Sequence, residues 1–328
     1  MSEYGRIHFS GDWLPTKQFN RGSGAGFALG NLECVFTDAE VDKEKAYTCV
    51  LPMSCVANVA RSGFDALSLA NNHVYDAGEE AFLSMRRLLD NRCSGIQIFG
   101  TVDKPYATWE FDGGRIAVIG ALEPCRSRGK GIFKEENVEA LIQEIRGIFD
   151  AVYVYPHWGK EGEYTRWPSP RQRKMARRWI DAGADGVFGS HSHVFQGREF
   201  YKDRPIYYSL GNFFFPHPES NLYEGTHDGL TVVIDGDRVT EQFHHFDEDG
   251  HITLNQDLSS IMNEISRPLE RWSTWKWAKA VGSFSLKKNT ASWRIRLAKN
   301  LIKALPKFLV WQALPQTLLF RIASVFAR

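Results

Sequence analysis

The residues in this chain whose types most clearly suggest chemistry are potential metal ligands, which recur up to residue 193. Carboxylate and amide oxygens, together with imidazole nitrogens, are ligands that suit Mn, Fe and Zn. In dinuclear hydrolytic sites two such ions, about 3.5–4 Å apart, share a bridging carboxylate. The sequence offers a set of this composition, which we interpret as one metal-binding site: Asp12, Glu33, Asn72, His157, His191 and His193, with His73 beside it.

Each of these residues alone has an ordinary structural explanation. Asp12 follows a glycine and is typical of a turn, Asn72 is typical of an Asx-turn, and His157 could be a satisfied core histidine. His191 and His193 are more informative, because alternate histidines in an extended segment can both turn toward one metal centre. The order and spacing of the complete set favour a metal site over coincidence.

The donors follow segments whose hydrophobic pattern predicts strands, and we expect all of them to lie in loops. Because predicted strands and helices alternate, the pattern indicates an α/β layered fold. In such folds ligand sites lie where loops from several strand ends converge. The predicted strands are 6–10, 65–69, 115–122, 151–155, 185–189 and 205–210, with a hairpin at 230–234 and 238–243, and the predicted helices include 79–89 and 136–149.

One further helix has explicit start and stop signals in the sequence. Ser169 can cap its amino end, Pro170 suits its first turn, and Gly183 can end it. We therefore predict a helix between Ser169 and Gly183, immediately before the strand that leads to the paired histidines.

The donors lie within short motifs that occur in a distinctive order. In combination these motifs closely resemble the CapA family of bacterial capsule, or poly-γ-glutamate, synthesis proteins, which belongs to the calcineurin-like metallophosphoesterase superfamily. The resemblance covers about residues 6–245 and implies a four-layer α-β-β-α sandwich. The motifs are GD at 11–12, GNLE at 30–33, ANNH at 70–73, HWG at 157–159, EY at 163–164, DAGAD at 181–185, GSHSHV at 189–194 and YSLGNF at 208–213.

The resemblance implies a role for each position. Asp12 and His193 would bind a first metal, and Glu33 would bridge to a second. His73 would be the catalytic imidazole, oriented by Asp76. The remaining positions fall into two sets: Asn72, His157 and His191 as ligands of the second metal, and Asn31, Ser209 and Asn212 as residues that brace the site or contact substrate.

One position departs from the superfamily pattern. Two residues after Asp12, where a histidine is usual, the chain has Leu14. The first metal would therefore lack a ligand. We expect one or two divalent ions, Mn, Fe or Zn, with one held tightly and the other weakly.

The bulk properties place the chain among ordinary globular proteins. It has 328 residues, 43% of them hydrophobic, and five cysteines without a metal-binding or disulfide spacing pattern, which favours reduced thiols. The first residues do not follow a signal-peptide pattern, and the sequence has no uninterrupted apolar run of about 18 residues. We therefore expect a cytoplasmic protein.

The charge is divided unevenly along the chain. Residues 267–328 contain thirteen Lys and Arg and one acidic residue, whereas residues 1–266 contain 27 basic and 38 acidic residues. Leucines at 297, 301 and 305 and lysines at 299, 303 and 307 recur every fourth residue, which predicts a basic amphipathic helix. We divide the chain into a CapA-like domain, 1–250, and a basic, amphipathic, largely helical region, 251–328.

Three functional hypotheses follow. The first is a metal-dependent hydrolase of capsule or anionic polymer synthesis. The second is a non-catalytic metal-binding subunit of a membrane polymer-synthesis complex, and the third is a phosphoesterase acting on a small phosphorylated substrate. The basic tail suits the inner face of the cell membrane, although it could equally pack on the body or on a second subunit. We expect an anionic polymer or phosphorylated substrate as partner, and no nucleic acid.

Overall fold

The structure, a computed structural model, describes residues 5–269 with several gaps, and it has the mixed α/β composition expected from the sequence. The gaps are residues 19–25, 42–47, 112, 124–128, 160–162, 219–222, 248 and 268. The basic amphipathic tail predicted beyond residue 269 lies outside the described residues.

Sixteen strands and five helices occur within the described ranges. The strands are β1 (Ile7–Trp13), β2 (Phe27–Leu32), β3 (Val35–Phe36), β4 (Val50–Leu51), β5 (Ala66–Ser68), β6 (Gln97–Phe99), β7 (Tyr106–Phe111), β8 (Gly114–Leu122), β9 (Ala151–His157), β10 (Gly186–Phe188), β11 (Arg198–Tyr201), β12 (Arg204–Tyr207), β13 (Asn212–Phe214), β14 (Asp228–Asp235), β15 (Arg238–Phe246) and β16 (Ile252–Leu254). The helices are α1 (Val56–Ala60), α2 (Glu79–Arg92), α3 (Val138–Ile145), α4 (Pro170–Asp181) and α5 (Leu258–Ser266).

The strands form two large sheets and one short pair. The first sheet has the order β16-β15-β14-β1-β2-β5-β6, with β13 paired to the end of β1. The second has the order β11-β12-β10-β9-β8-β7, and β3 pairs with β4. The neighbours β1, β2, β5 and β6 are parallel, as are β8, β9, β10 and β12. Their carboxyl ends therefore gather at one edge of each sheet.

Apolar side chains on the strands divide between opposite sheet faces. In β8, Ile116 and Val118 join a cluster with Phe9 of the first sheet, whereas Ala117 and Ile119 join a cluster with helices α3 and α4. This alternation follows from the two-residue period of a strand. A third cluster packs α1 and α2 against the outer face of the first sheet. Apolar cores therefore lie between the sheets and on the outer face of each.

The sequence signals for the helices correspond closely to their positions. In α2, Phe82, Met85 and Leu89 are buried at helical spacing. In α4 the Ser169 hydroxyl accepts from the backbone N–H of Gln172, and the Gln172 side chain accepts from the Ser169 N–H, so a full capping box is present. The helix predicted over 136–149 is shorter: α3 covers Val138–Ile145 and follows a 3₁₀ turn at Glu135–Asn137.

The prediction that every donor lies in a loop is wrong for two residues. Asp12 lies within β1, and His157 is the last residue of β9. Strand β1 extends beyond the predicted 6–10 because its carboxyl end is paired on both sides. Asp12 is in register with Asn31 of β2 and with Asn212 of β13. The donor is thus held by strand pairing rather than by a flexible loop.

The segment after residue 250 continues the packing of the body. Leu258, Met262 and Ile265 of α5 are buried in the cluster between the sheets. The division of the chain at residue 250 stays a prediction. Among the described helices none is long and apolar enough to cross a membrane.

Candidate metal centre

The donors predicted from the sequence lie at the carboxyl ends of strands from both sheets. In the first sheet Glu33 follows β2 directly, and Asn72 follows β5 by four residues. In the second sheet His157 ends β9, and His191 and His193 lie just beyond β10. An isolated bridge between His157 and Ser190 holds the ends of β9 and β10 side by side. Convergence of strand ends therefore brings the two halves of the site together.

Three donor atoms lie close to His157 Nε2 and form with it what we call the four-donor group: Asn72 Oδ1, His191 Nδ1 and Glu33 Oε1. His157 Nε2 lies 2.7 Å from Asn72 Oδ1, 3.1 Å from His191 Nδ1 and 3.3 Å from Glu33 Oε1. A zinc ion binds its ligands at about 2.0–2.2 Å, and donor atoms around one such ion lie about as far from one another as these donor atoms do. Oxygen and imidazole donors of this kind can hold a Zn, Mn or Fe ion.

Three donors form a second set, which we call the three-donor group: Asp12, Glu33 and His193. Their ligand atoms lie within 4.8 Å of one another. His193 Nδ1 is 3.9 Å from Asp12 Oδ2, and His193 Nε2 is 3.9 Å from Glu33 Oε1. This group is more open than the four-donor group and contains one donor fewer.

Glu33 belongs to both groups, and its carboxylate is completely buried. Neither of its oxygens makes a hydrogen bond with a described residue, and the same holds for His191 Nε2. A buried carboxylate without hydrogen bonds is costly unless a cation compensates it. The donor chemistry and the unsatisfied oxygens of Glu33 therefore fit divalent ions on both sides of this carboxylate.

Asn31 and Ser190 orient the donors without facing the shared carboxylate. Asn31 Nδ2 donates to Asp12 Oδ1 over 2.7 Å, and the backbone N–H of His191 donates to Asp12 Oδ2 over 2.9 Å. Ser190 Oγ lies 2.9 Å and Asn31 Nδ2 lies 3.1 Å from His157 Nδ1, and these contacts hold the ring with Nε2 toward the four-donor group. These contacts fix the orientation of one carboxylate and one imidazole.

Asn212 fixes the third imidazole, whereas Ser209 acts on the loop. Asn212 Oδ1 accepts from His193 Nδ1 over 2.9 Å, and its amide donates to the Thr226 carbonyl over 2.8 Å. Ser209 Oγ accepts from the backbone N–H of Gly211 over 3.1 Å. The Ser209 hydroxyl therefore stabilises the turn that leads into Asn212.

His73 lies beside the shared carboxylate. Its Nε2 is 3.8 Å from Glu33 Oε1, and its Nδ1 is 2.6 Å from Asp76 Oδ2. The chain makes a turn here, with the N–H of Asp76 donating to the carbonyl of His73. This turn brings the side chains of His73 and Asp76 within hydrogen-bond distance, although the residues are three positions apart in the sequence. The dyad is thus formed within one short segment after β5.

Burial and mutual charge shift the pKa values of the buried donors. Burial raises the pKa of Asp12, but contacts with His157, His193 and Asn31 outweigh it and hold the pKa well below its usual range. Burial lowers the pKa of His157, yet the carboxylates of Glu33 and Asp12 raise it to about 9. Burial and the adjacent His157 lower the pKa of His191 to about 3. His191 is therefore neutral, the form that a metal ligand requires.

The backbone around the donors adopts unusual conformations. His191 and His193 have φ angles of 95° and 57°, in the region that favours glycine. Such conformations cost about 1–3 kcal/mol each and persist where the surroundings impose them. At Gly11 a Cβ atom would lie 1.9 Å from the Gly211 carbonyl oxygen, so only glycine permits this close approach. The approach positions Asp12 beside Asn212.

Leu14 supplies no donor atom to the three-donor group. Its side chain is buried in the apolar cluster under α1 and α2, and its backbone N–H donates to the Phe214 carbonyl. The position at which we expected a further ligand from the sequence pattern is used here for core packing.

Several contacting residues were not identified from the sequence. Asn71 Nδ2 donates to Asn31 Oδ1 and to the Leu32 carbonyl, and its own Oδ1 accepts from the His73 N–H. Asn71 therefore connects the segments that carry Asp12, Glu33 and His73, and its place in the NNH motif was the available signal. Cys49 also lies beside His73 and Asp76, and no local pattern singled it out.

Comparison with known proteins identifies close relatives of this chain. Residues 8–217 match the family model described as "Bacterial capsule synthesis protein PGA_cap". The chain is 34% identical over 178 residues to "Capsule biosynthesis protein CapA" of Bacillus anthracis, covering 49% of this chain and 42% of that protein. It is 33% identical over 168 residues to "PGA biosynthesis protein CapA" of Bacillus subtilis (strain 168), covering 46% and 43%. The chain thus matches less than half the length of these curated relatives.

More distant likenesses occur among solved structures. A phosphatase of Mycoplasma pneumoniae aligns at 12% identity with a TM-score of 0.47, over 77% of this chain and 95% of that one. The NAD nucleotidase of Haemophilus influenzae aligns at 12% identity with a TM-score of 0.45, over 87% and 60%. These scores are too low for the likeness to carry functional information.

Proposed function

This chain belongs to the bacterial capsule synthesis protein family PGA_cap, and we propose that it is a metal-dependent hydrolase acting in capsule or anionic polymer synthesis. The observation that carries the proposal is the Glu33 carboxylate, which is buried, makes no hydrogen bond with the described residues and is shared by two donor groups. A carboxylate between two such groups has the position of the bridging ligand in a dinuclear hydrolytic centre.

The proposal extends to the architecture. The helices α1 and α2 cover the outer face of one sheet, α3 and α4 cover the outer face of the other, and an apolar core lies between the sheets. This layer order supports a four-layer α-β-β-α sandwich of the metallophosphoesterase type. Both donor groups lie at the edge where the parallel strands of its two sheets end.

We assign the ligands as follows. Asn72, His157 and His191 would hold one ion, Asp12 and His193 the other, and Glu33 would bind both. Divalent ions bound there would supply Lewis acidity toward the substrate oxygens and lower the pKa of water at the centre. Donor chemistry alone admits Zn, Mn and Fe.

The protein's own residues would bind and protonate the substrate. Asp76 accepts from His73 Nδ1, so Nε2 faces the centre and can give a proton to the leaving oxygen or hold the attacking group. Asp12, Glu33 and His193 are almost fully buried, whereas Asn72 and His73 are only partly buried. Substrate would therefore approach from the side of Asn72 and His73, where the proton donor stands.

A combined metal and activity measurement tests this function. Elemental analysis of purified protein should find one tightly bound ion and a second that is retained when metal is supplied. Hydrolysis should be measured on p-nitrophenyl phosphate, its diester, pyrophosphate and a γ-glutamyl polymer. Glu33→Gln should lose both metal and activity, His73→Ala should lose activity alone, and Glu110→Gln, an exposed control, should keep both.

Other outcomes would contradict the bridging role of Glu33 or favour a different function. Full metal retention in Glu33→Gln would contradict the bridging role. A metal-loaded protein that hydrolyses none of these substrates would favour the second candidate, a metal-binding accessory subunit of a membrane polymer-synthesis complex. The His73–Asp76 hydrogen bond beside the centre favours the enzyme, because a structural metal site has no use for a proton-transfer pair.

We also propose a substrate class and a surface to which the chain binds. The names of the relatives concern capsule and PGA biosynthesis, so we propose an anionic polymer or a phosphorylated precursor as substrate. We further propose that the basic tail binds the anionic membrane surface. Deletion of 290–328 should move the protein from membrane to soluble fractions, and unchanged fractionation would reject the anchor.

A further inference from the structure

A second kind of donor set adjoins the proposed centre: Cys49, His73 and Asp76. One ligand atom from each residue lies within 4.8 Å of the other two. The segment before β4 is tied to the turn after β5, because the Cys49 backbone N–H donates to Asp76 Oδ2 over 2.8 Å. The geometry therefore places a thiol beside the proton-transfer pair, although Cys49 is 24 residues away from His73 in the sequence.

The chemistry of this set differs from that of the two groups around Glu33. Those groups consist of oxygen and imidazole donors, whereas a thiolate is a soft ligand that selects Zn and Co over Mn and Mg. One sulfur, one nitrogen and one oxygen donor, completed by a solvent molecule, make a four-coordinate zinc site of ordinary composition. The donor groups around Glu33 and the set that contains Cys49 thus prefer different metals, although they lie only a few ångströms apart.

Ions can reach this set from solvent. Cys49 is 3% exposed, but the side chains of His73 and Asp76 retain 14% and 16% of their exposure. Cys49 is a free thiol, as are the other described cysteines. On binding, the sulfur–hydrogen bond of Cys49 would break, its proton would leave to the buffer, and the sulfur would bind the ion.

We propose that Cys49, His73 and Asp76 form a third, zinc-selective site whose occupation inhibits the enzyme. An ion bound to a ring nitrogen of His73 and an oxygen of Asp76 replaces the hydrogen bond between them. It also adds positive charge beside the imidazole, so His73 can no longer exchange a proton with substrate. The binding step stands on the geometry of the three donors, and the inhibition step rests on the proposed hydrolase function.

Cobalt substitution tests the binding step without reference to activity. Wild-type protein titrated with Co²⁺ should develop a near-ultraviolet thiolate-to-cobalt charge-transfer band, because a thiol joins the ligands. Cys49→Ser should lose this band while keeping the cobalt absorption of the Glu33 groups. Cys93→Ser, which removes a buried thiol from the carboxyl end of α2, should retain the band. Circular dichroism establishes that each variant is folded.

Two outcomes would overturn the site. Wild-type protein without a thiolate band at saturating Co²⁺ would mean that Cys49 is only a buried apolar side chain. A band that persists in Cys49→Ser would assign the thiolate ligand to another cysteine. Because the Glu33 groups contain no sulfur, neither result depends on whether the central metals are catalytic.

The inhibition step needs a second measurement. Hydrolysis by the Mn-loaded enzyme should fall at least about tenfold in excess Zn²⁺, in line with the loss of a general acid or base, and should be unaffected by excess Mn²⁺. Each protein is compared with its own rate before zinc is added, and Cys49→Ser should not show the fall. Equal inhibition of wild type and Cys49→Ser would place the inhibitory zinc at the Glu33 groups and reject the regulatory role. Failure of hydrolysis altogether would reject the proposed function but leave the cobalt result standing.

Discussion

The imidazole of His73 and the carboxylate of Asp76 form a 2.6 Å hydrogen bond across a single turn. The opposite ring nitrogen faces the shared carboxylate of Glu33 at 3.8 Å. This alignment fixes the orientation of the ring, with Nδ1 toward Asp76 and Nε2 toward the shared carboxylate and the substrate side. The pair therefore has the arrangement of a general acid or base with its orienting group.

Replacement of His73 should separate chemistry from metal binding. His73→Asn should lower kcat by about 10²–10⁴-fold, the usual contribution of a positioned proton donor. The Mn content of the Mn-loaded protein should be unchanged, because neither donor group around Glu33 includes His73. Asp76→Asn should give a smaller loss, since the imidazole remains but is held less firmly. Loss of Mn from His73→Asn would show that the residue is a ligand of the ions beside Glu33 instead.

The two donor groups should lose their ions in sequence. The four-donor group has the shorter separations, and the three-donor group has Leu14 at the position where a further ligand would be expected. Dialysis against a chelator should therefore remove one ion quickly and the other slowly. His193→Ala should abolish only the fast phase, whereas His157→Ala should abolish the slow one. Two indistinguishable ions in the wild-type protein would contradict this difference.

Asn212 should contribute to metal affinity through His193. Its side-chain oxygen accepts from His193 Nδ1, and loss of such an orienting contact typically costs about 10–100-fold in metal affinity. Asn212→Ala should weaken the labile ion by that factor in a competition titration and leave the tight ion unchanged. Asn58→Ala, which removes a side-chain bond to the Pro15 carbonyl, is the matched control. Equal effects of the two variants would indicate a general loss of stability.

The close approach of β1 to the residue before β13 at Gly11 should be intolerant of any side chain. Gly11→Ala would place a Cβ 1.9 Å from the Gly211 carbonyl oxygen and separate β1 from β13. Overpacking of this kind costs about 1–3 kcal/mol, which chemical denaturation should detect together with weaker metal binding. Gly95→Ala, where a Cβ has nothing within 4 Å, should be close to neutral. A neutral Gly11→Ala would mean that the strand pairing at Asp12 can relax.

Glu199 gives a pH-dependent contribution to stability at a distance from the centre. Burial raises its pKa, but Arg177, Tyr208 and Arg173 outweigh burial and lower the pKa below the ordinary value of 4.5. A lowered folded-state pKa stabilises the fold above the unfolded-state pKa, and this stability is lost as the pH falls through the folded value. The pH window therefore lies below 4.5.

Glu199→Gln tests that pH dependence directly. At neutral pH the variant should be less stable than wild type by about 1.5–3 kcal/mol, the range for hydrogen bonds to a charged group. The difference should shrink as both proteins are acidified below the ordinary glutamate pKa. Urea denaturation across this range provides the measurement, with Glu110→Gln as the exposed control. A difference that does not change with pH would reject the ionic origin.

The sequence indicated the candidate donors more completely than the residues around them. Asp12, Glu33 and the histidines were recognisable because metal chemistry restricts residue types and their motifs are short and local. The strand that carries Asp12 was predicted too short, because its extension depends on pairing with residues near 212. No local pattern could place Cys49 against His73, because that contact arises only when β4 and the turn after β5 pack together. Residue types suited to metal binding could thus be recognised in the sequence, whereas contacts between segments distant in the chain could not.

The neighbours of strand β1 have a consequence for how the protein matures. Asp12 is made early in synthesis, but it is paired with Asn212 of β13, and β1 is paired with β14 at 228–235. Contacts this far apart in sequence form late. A ribosome-bound chain that ends before residue 212 contains all six proposed ligands, but its strand β1 lacks the pairing with β13 and β14. Metal loading would therefore be a post-translational step, which limits capture of the wrong ion by the nascent chain.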